Sequence, residues 1–152
     1  MAIRSFQESD FPAVCRVYLD AKRDELSSEP DSLVVLPLEE DAPTLEAFRE
    51  SEVIVHDSGE VLGFAATFDG QLRALFVRSD AQGRGIGGAL LDAVLAGRAE
   101  GLALYVAKSN PGARRFYERK GFAVTGEAVR QYRGIDIVYL GMEIAADKYG
   151  PA

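Results

Sequence analysis

A single cysteine, Cys15, in 152 residues excludes an internal disulfide and makes a reducing, cytoplasmic location the expectation. No apolar run approaches the ~20 residues that a membrane-spanning helix needs. The segment Met1-Ala2-Ile3-Arg4-Ser5-Phe6 lacks an apolar stretch followed by a cleavage site, so neither secretion nor a membrane partner is expected. A basic face with interleaved aromatics is missing too, which argues against nucleic acid. Basic residues are scarce in the first half of the chain. Residues 1–70 hold 5 Lys/Arg against 16 Asp/Glu, and residues 71–152 hold 12 against 8, so a net charge of −7 divides into −11 and +4. Such asymmetry suits two surfaces with different partners, although acidic loops that only solvate the chain produce it as well.

What is present fits one soluble globular unit. The hydrophobic fraction of 47% and charged fraction of 27% are ordinary, and the length suffices to bury a core. Ile3 to Gln7 reads as a strand. Ser9 or Asp10 is placed to cap a helix to Leu26, in which Phe11, Val14, Val17, Tyr18 and Ala21 recur at helical spacing. Ser28 to Pro43 is an acidic, proline-containing connection whose apolar Leu33 to Leu38 packs locally, and Thr44 is expected to cap a short helix to Glu50. Val53 to His56, Val61 to Phe68 and Gln71 to Val77 read as an antiparallel meander, with Ser58-Gly59 and Asp69-Gly70 as its turns. A helix over 86–99, a strand Leu102 to Val106, a helix Pro111 to Lys120 and strands Phe122 to Gly126 and Ile135 to Ile144 complete an α/β order.

Between the third strand of that meander and the next helix lies Gln82-Gly83-Arg84-Gly85-Ile86-Gly87-Gly88-Ala89. Strand, glycine-rich loop and helix in that order bring bare N–H groups and a helix N-terminus up to a phosphate. The stretch formally matches the dinucleotide pattern G-x-G-x-x-G. However, Arg78 to Gln82 intervene after the strand, and no acidic residue stands near the end of the following strand to hold a ribose. A Walker loop fails because Gly88-Ala89 stands where Lys-Ser/Thr is required. The remaining reading is Gln-x-x-Gly-x-Gly, met by Gln82, Gly85 and Gly87.

With that pattern, Leu75 to Gly87 resembles the acetyl-CoA motif of the GCN5-related N-acetyltransferase (GNAT) family. Asn110-Pro111-Gly112-Ala113-Arg114-Arg115-Phe116-Tyr117, followed by Gly121-Phe122, is similar to that family's second signature. The resemblance covers residues 3–144. It implies a single GNAT-like α/β domain over 1–152, with a core of about 3–144, a tail over 145–152, and a mixed, mostly antiparallel sheet flanked by about four helices. It also implies acetyl-CoA as co-substrate, no metal, and transfer of acetyl to a primary amine by direct attack in a ternary complex. The acceptor would be a small molecule, a protein lysine or a protein N-terminus. Many members form homodimers, so a second copy stays open as a partner, though no stretch of the sequence marks an interface. A non-catalytic acyl-CoA sensor is the alternative.

The same resemblance distributes roles. Leu75, Phe76 and Val77 would offer main-chain contacts to the pantetheine arm. Gln82, Gly83, Arg84, Gly85, Ile86, Gly87, Gly88 and Ala89 would cradle the pyrophosphate. Arg78, Arg84, Lys108 and Arg114 are candidates for phosphate charge, with Arg84 preferred for its place in the loop. Asn110, an N-cap before Pro111, would also contact the cofactor arm. Tyr117 would be the general acid for the departing thiolate, and a backbone N–H near Val77 would stabilise the oxyanion. The strand Leu72 to Val77 has no glutamate, which leaves the base open among Asp69, Glu52, His56 and a water chain, with His56 expected at the surface. Ping-pong transfer through Cys15 is the rival chemistry, but no activating base adjoins it. Asp24, Glu25, Glu29 or Asp31 would draw in a cationic amine, while Tyr132, Arg133 and Tyr139 would line the acceptor pocket, the arginine suiting a carboxylate instead.

Overall fold

The computed structural model describes residues 2–96, 98 and 100–145; the expected tail lies, beyond residue 145, outside them. Seven strands form one sheet: β1 (Ala2–Ser5), β2 (Glu52–Asp57), β3 (Val61–Phe68), β4 (Gln71–Val77), β5 (Leu102–Ala107), β6 (Ala123–Tyr132) and β7 (Ile135–Ile144). Their order is β1-β2-β3-β4-β5-β7-β6, and every pairing is antiparallel except β4 with β5. Four helices flank the sheet: α1 (Phe11–Glu25), α2 (Ala42–Glu50), α3 (Ile86–Ala96) and α4 (Pro111–Arg119). The fold is therefore the mixed, mostly antiparallel α/β sheet that the sequence implies. Asp69 and Gly70 take positive φ of 50° and 78°, as a tight Asp-Gly hairpin requires.

Local details differ from the sequence reading. The N-cap of α2 is Asp41, whose Oδ1 accepts the Thr44 N–H at 3.4 Å, so Thr44 lies inside the helix it was expected to start. Strand β6 continues to Tyr132 rather than stopping at Gly126, because the turn at Arg133-Gly134 sends β7 back along its whole length. Asp10 makes no cap bond to α1. Its carboxylate, 7% exposed, accepts two bonds from Arg4 at 2.8 and 2.9 Å and one from the Gln7 N–H at 2.8 Å, while Arg4 also reaches Asp57. This network ties β1 to the start of α1 and to β2.

Arg4, chiefly by hydrogen bonding, holds Asp10 below the usual carboxylate range against the opposing effect of burial. A depressed folded value means that stability is present above the unfolded value near ~3.9 and is lost as pH falls toward the folded one. Asp10→Asn should therefore melt below wild type at pH 7. The gap should narrow as pH drops below about 4, which thermal melts across that range would check.

Two cores sit on opposite faces of the sheet. Leu62, Ala65, Leu90, Leu91, Leu104, Tyr117 and Met142 are among those on the α3–α4 face, whereas Val14, Val17, Phe48, Val55 and Phe64 pack on the α1–α2 face. Helical spacing places Val14, Val17, Tyr18 and Ala21 inward as expected. The β3–β4 register steps from Ala66↔Ala74 to Thr67↔Leu72, which leaves Arg73 as an extra residue on β4. Its guanidinium is held 4.2 Å over the Phe68 ring and donates to the Ala47 carbonyl at 3.1 Å. A bulge sharpens twist and bends its strand. Beyond it β4 leaves β5, and their parallel pairing is confined to Gln71↔Ala103.

Candidate active site

The parting of β4 from β5 opens a cleft of about 650 Å³. Leu72 to Val77 line it on one side and Leu104 to Val106 on the other. The β5-facing edge of β4 is therefore left without a strand partner past Gln71. An extended chain can add to such an edge through main-chain hydrogen bonds, as a further strand would.

At one mouth of the cleft the chain turns through Ser79–Ala81 into the glycine loop. Gly83 and Gly85 have φ of +82° and +79°, a region that costs other residues about 1–2 kcal/mol. A Cβ at Gly87 would stand at ordinary contact distance from Val77 and Phe116, and α3 starts at Ile86. The loop thus presents consecutive amides and a helix N-terminus at one end of the cleft, a combination that favours an anion. Asp20 anchors the approach, its carboxylate accepting from the Ser79 N–H at 2.7 Å and from its hydroxyl at 2.9 Å.

The basic candidates separate by their partners. Arg78 is bound to Glu60 at 2.6 Å and to Asp80 at 2.7 Å, Lys108 to Glu127 at 3.0 Å and Arg114 to Glu118 at 3.4 Å. Arg84 makes no ion pair among the described residues and donates only at 3.4 Å to the Asp80 carbonyl. Lys120, which the sequence did not single out, brings its ammonium to the first turn of α3, 3.3 Å from where a Gly88 Cβ would stand. It lies beyond β5 and α4 in sequence, and the packing of α4 beside α3 brings it there, where it is paired with Asp92 at 3.2 Å.

Asn110 and Tyr117 also line the cleft. Asn110 caps α4, its Oδ1 accepting the Ala113 N–H at 3.3 Å, with Pro111 in the first turn. Gly121, at φ +101°, ends the helix, and Phe122 N–H donates back to the Tyr117 carbonyl at 3.0 Å. Tyr117 is 8% exposed, its ring between Phe116 at 5.0 Å and Phe122 at 5.5 Å. The hydroxyl has no hydrogen-bond partner among the described residues. Burial, with a further push from the Glu25 carboxylate, raises it well above the usual tyrosine range, so it stays protonated.

Opposite Tyr117, α1 turns Tyr18, Lys22, Asp24 and Glu25 to the cleft, and β6 and β7 add Tyr132 and Tyr139. Lys22 Nζ stands 2.9 Å from Glu25 Oε2 and 5.9 Å from the centre of the Phe76 ring. Burial alone would lower Lys22, but Glu25 chiefly outweighs it and keeps the amine charged. Tyr18, 5.6 Å edge-on from Phe76, is pushed by burial up to about 12. Tyr132 Oη accepts the Leu36 N–H at 2.9 Å, which fastens the acidic connection over β6, and Ser109 Oγ donates to Glu29 at the far side of that connection.

Other candidates stand elsewhere. Arg133 lies in the β6–β7 turn with φ 51° and donates at 3.4 Å to the Val34 carbonyl, and Asp31 is exposed away from the cleft. His56 is 2% exposed, not at the surface, and neither ring nitrogen finds a partner. Strand alternation turns it to the face of Ile54, and neither it nor Glu52 or Asp69 lines the cleft. Cys15 lies beside Phe11, Pro12, Leu19 and Glu39, away from the cleft. Burial, with Glu39 adding, pushes its thiol up to about 12, which removes the thiolate that ping-pong transfer needs. Among the described residues no group of three or more His, Cys, Asp or Glu could hold a metal ion, and no helix is long and apolar enough to cross a membrane.

The sequence model of a family described as the acetyltransferase (GNAT) domain matches residues 39–145. The chain is 38% identical over 76 residues to the peptidyl-lysine N-acetyltransferase YjaB of Salmonella typhimurium, a match over 50% of this chain and 52% of that protein. The chain thus spans about half the length of this curated relative. Its fold is similar to that of the ribosomal-protein-alanine N-acetyltransferase of Brucella melitensis, with a TM-score of 0.71, 26% identity, and coverage of 95% and 99% of the two chains. It is similar as well to yncA of Salmonella typhimurium, solved with its cofactor acetyl-CoA, with a TM-score of 0.67, 20% identity, and coverage of 100% and 97%.

Proposed function

The chain belongs to the acetyltransferase (GNAT) domain family, and from that membership we propose that it transfers an acetyl group from acetyl-CoA to a primary amine by direct attack. The observation that carries the reading is the cleft between β4 and β5, with an anion-binding loop at one mouth and the Tyr117 hydroxyl inside. The group fits these residues: an unpaired strand edge suits an extended pantetheine arm, and the loop and α3 N-terminus suit a diphosphate. When bound, acetyl-CoA supplies a thioester whose acyl carbon an amine can attack.

In this reading the β4 edge at Leu75, Phe76 and Val77 holds the arm in line. The amides from Gln82 to Ala89 hold the phosphates, with Arg84 adding positive charge. Asn110 closes the cleft from the start of α4. Tyr117 donates its proton as charge builds on the departing sulfur. The acceptor is a primary amine, on a small molecule or on a protein lysine or N-terminus; peptidyl lysine and a ribosomal-protein alanine, for which two relatives are named, share that group.

The test pairs calorimetry with coenzyme A and thiol release from acetyl-CoA across a panel of primary amines. Micromolar binding and release with at least one amine are expected. Binding with no release from any amine would instead make the protein an acyl-CoA sensor. The loop supplies a further prediction. A Gly85 side chain has open space, so Gly85→Ala acts only through its positive φ, at a cost of about 1–2 kcal/mol. Coenzyme A affinity should fall about tenfold by calorimetry, since 1.4 kcal/mol is one decade.

A further inference from the structure

We propose that Glu25 takes the proton from the acceptor's ammonium group, with Lys22 as the residue that positions it; the inference rests on the acetyltransfer reading and names the base that β4 lacks.

Glu25 sits in the last turn of α1 and lines the cleft on the side opposite β5. Its Oε2 is fully buried, and Lys22 Nζ is its ion-pair partner at 2.9 Å. The side chain keeps 18% of its surface and lines the cleft, and no partner among the described residues takes Oε1, so that second oxygen is left with capacity to accept there. The charged and titratable groups facing it are Lys22 and Tyr18 on α1, Tyr117 on α4, Tyr139 on β7, and Arg130 and Tyr132 on β6. Glu25 is the one carboxylate among these seven, the others being hydroxyls and cationic donors. Asp24, the other acid in the cleft, is exposed at its rim. Glu25 is also the carboxylate whose charge reaches the Tyr117 hydroxyl, which places proton acceptor and proton donor around one space.

The protons balance. An acceptor arrives as R–NH3+. One N–H bond breaks as a Glu25 O–H bond forms, which neutralises both groups and frees the nitrogen lone pair for attack on the acyl carbon. As the C–S bond breaks, the Tyr117 O–H gives its proton to sulfur, and the phenolate recovers a proton from the new C–N nitrogen. The third proton stays on the amide, and Glu25 later loses its proton to water. Lys22, paired with Oε2 at 2.9 Å, holds the Glu25 side chain in place at the cleft between turnovers. The substrate class is thereby an amine that is protonated before it binds.

The test compares ethylamine, charged at pH 7, with 2,2,2-trifluoroethylamine, largely neutral there. Thiol release from acetyl-CoA is measured for wild type, Glu25→Gln, and Lys22→Met/Glu25→Gln, the double variant leaving no orphaned charge. In both variants kcat/KM should fall at least 100-fold with ethylamine, and by at least a tenfold smaller factor with trifluoroethylamine. The readout independent of turnover is 19F NMR of trifluoroethylamine with coenzyme A-saturated protein near the amine's own titration. Wild type should favour the charged form, and both variants should lose that preference by about tenfold. Equal losses for the two amines, or an unchanged preference in the variants, would overturn the assignment and leave acetyltransfer standing. No thiol release from wild type with either amine would overturn the amine-acceptor reading and this assignment together.

Discussion

Tyr117→Phe is expected to lower kcat for thiol release by about 10²-fold while coenzyme A affinity and melting temperature stay close to wild type. The substitution deletes one oxygen and keeps the ring, which holds its place between Phe116 and Phe122 on the α4 side of the core. That oxygen makes no hydrogen bond to the described residues, so its loss orphans no protein group. General acids contribute roughly 10²–10⁴ in rate. The burial that keeps this hydroxyl protonated also weakens it as an acid, which argues for the low end of the range. A hundredfold loss corresponds to about 2.7 kcal/mol of barrier, far more than a surface change would give. Because its ionisation lies above the usual value near 10, Tyr117 should leave no alkaline limb of its own at pH 8–10. A variant that keeps a third or more of wild-type kcat would remove Tyr117 from the chemistry.

Much of this site was legible because its signals are local. Gly83 and Gly85 occupy positive φ where the sequence places a phosphate loop, and Asn110-Pro111 caps the helix that carries Tyr117. Periodicity exposed the buried face of α1, and Asp69-Gly70 announced its hairpin. The features that were not legible depend on distance in sequence. Lys120 reaches the α3 N-terminus only through tertiary packing, and Arg73 becomes a bulge only in its register with β3. Asp10 reads as a helix cap because Asp suits that position, but Arg4 and the Gln7 N–H outcompete the amides of α1 for its carboxylate. His56 reads as a strand-end surface residue, yet β1 pairs alongside β2 and covers it. Glu25 is named from the sequence among the acids of the acceptor side, but its ion pair with Lys22, facing the cleft, shows only in the structure. For each of these residues the partner, rather than the residue itself, determined the outcome.

Gly63→Val should be the most damaging single substitution outside the site, lowering stability by about 3 kcal/mol. A Cβ at Gly63 would meet the Phe76 carbonyl oxygen at 2.9 Å, Leu90 Cδ1 at 3.1 Å and Ile86 Cγ2 at 3.3 Å. The first contact is backbone and has nowhere to go, since Phe64 pairs with Phe76 and the Arg78 N–H is bound to the Leu62 carbonyl at 2.9 Å. The other two belong to α3, which must rise from the sheet to make room. Overpacking costs about 1–3 kcal/mol, and valine adds two methyls beyond the clashing carbon, which places it at the top of that range. At this chain length the melting temperature should drop by roughly 6–12 °C. Since Ile86 begins the helix that follows the glycine loop, the same displacement should weaken coenzyme A binding in protein that remains folded. Gly126→Ala is the control: an added Cβ there meets nothing within 4 Å and the φ is not positive, so its melt should match wild type. If Gly63→Val also melted with wild type, α3 would be free to lift from β3. The glycine loop would then owe its position to its own backbone alone.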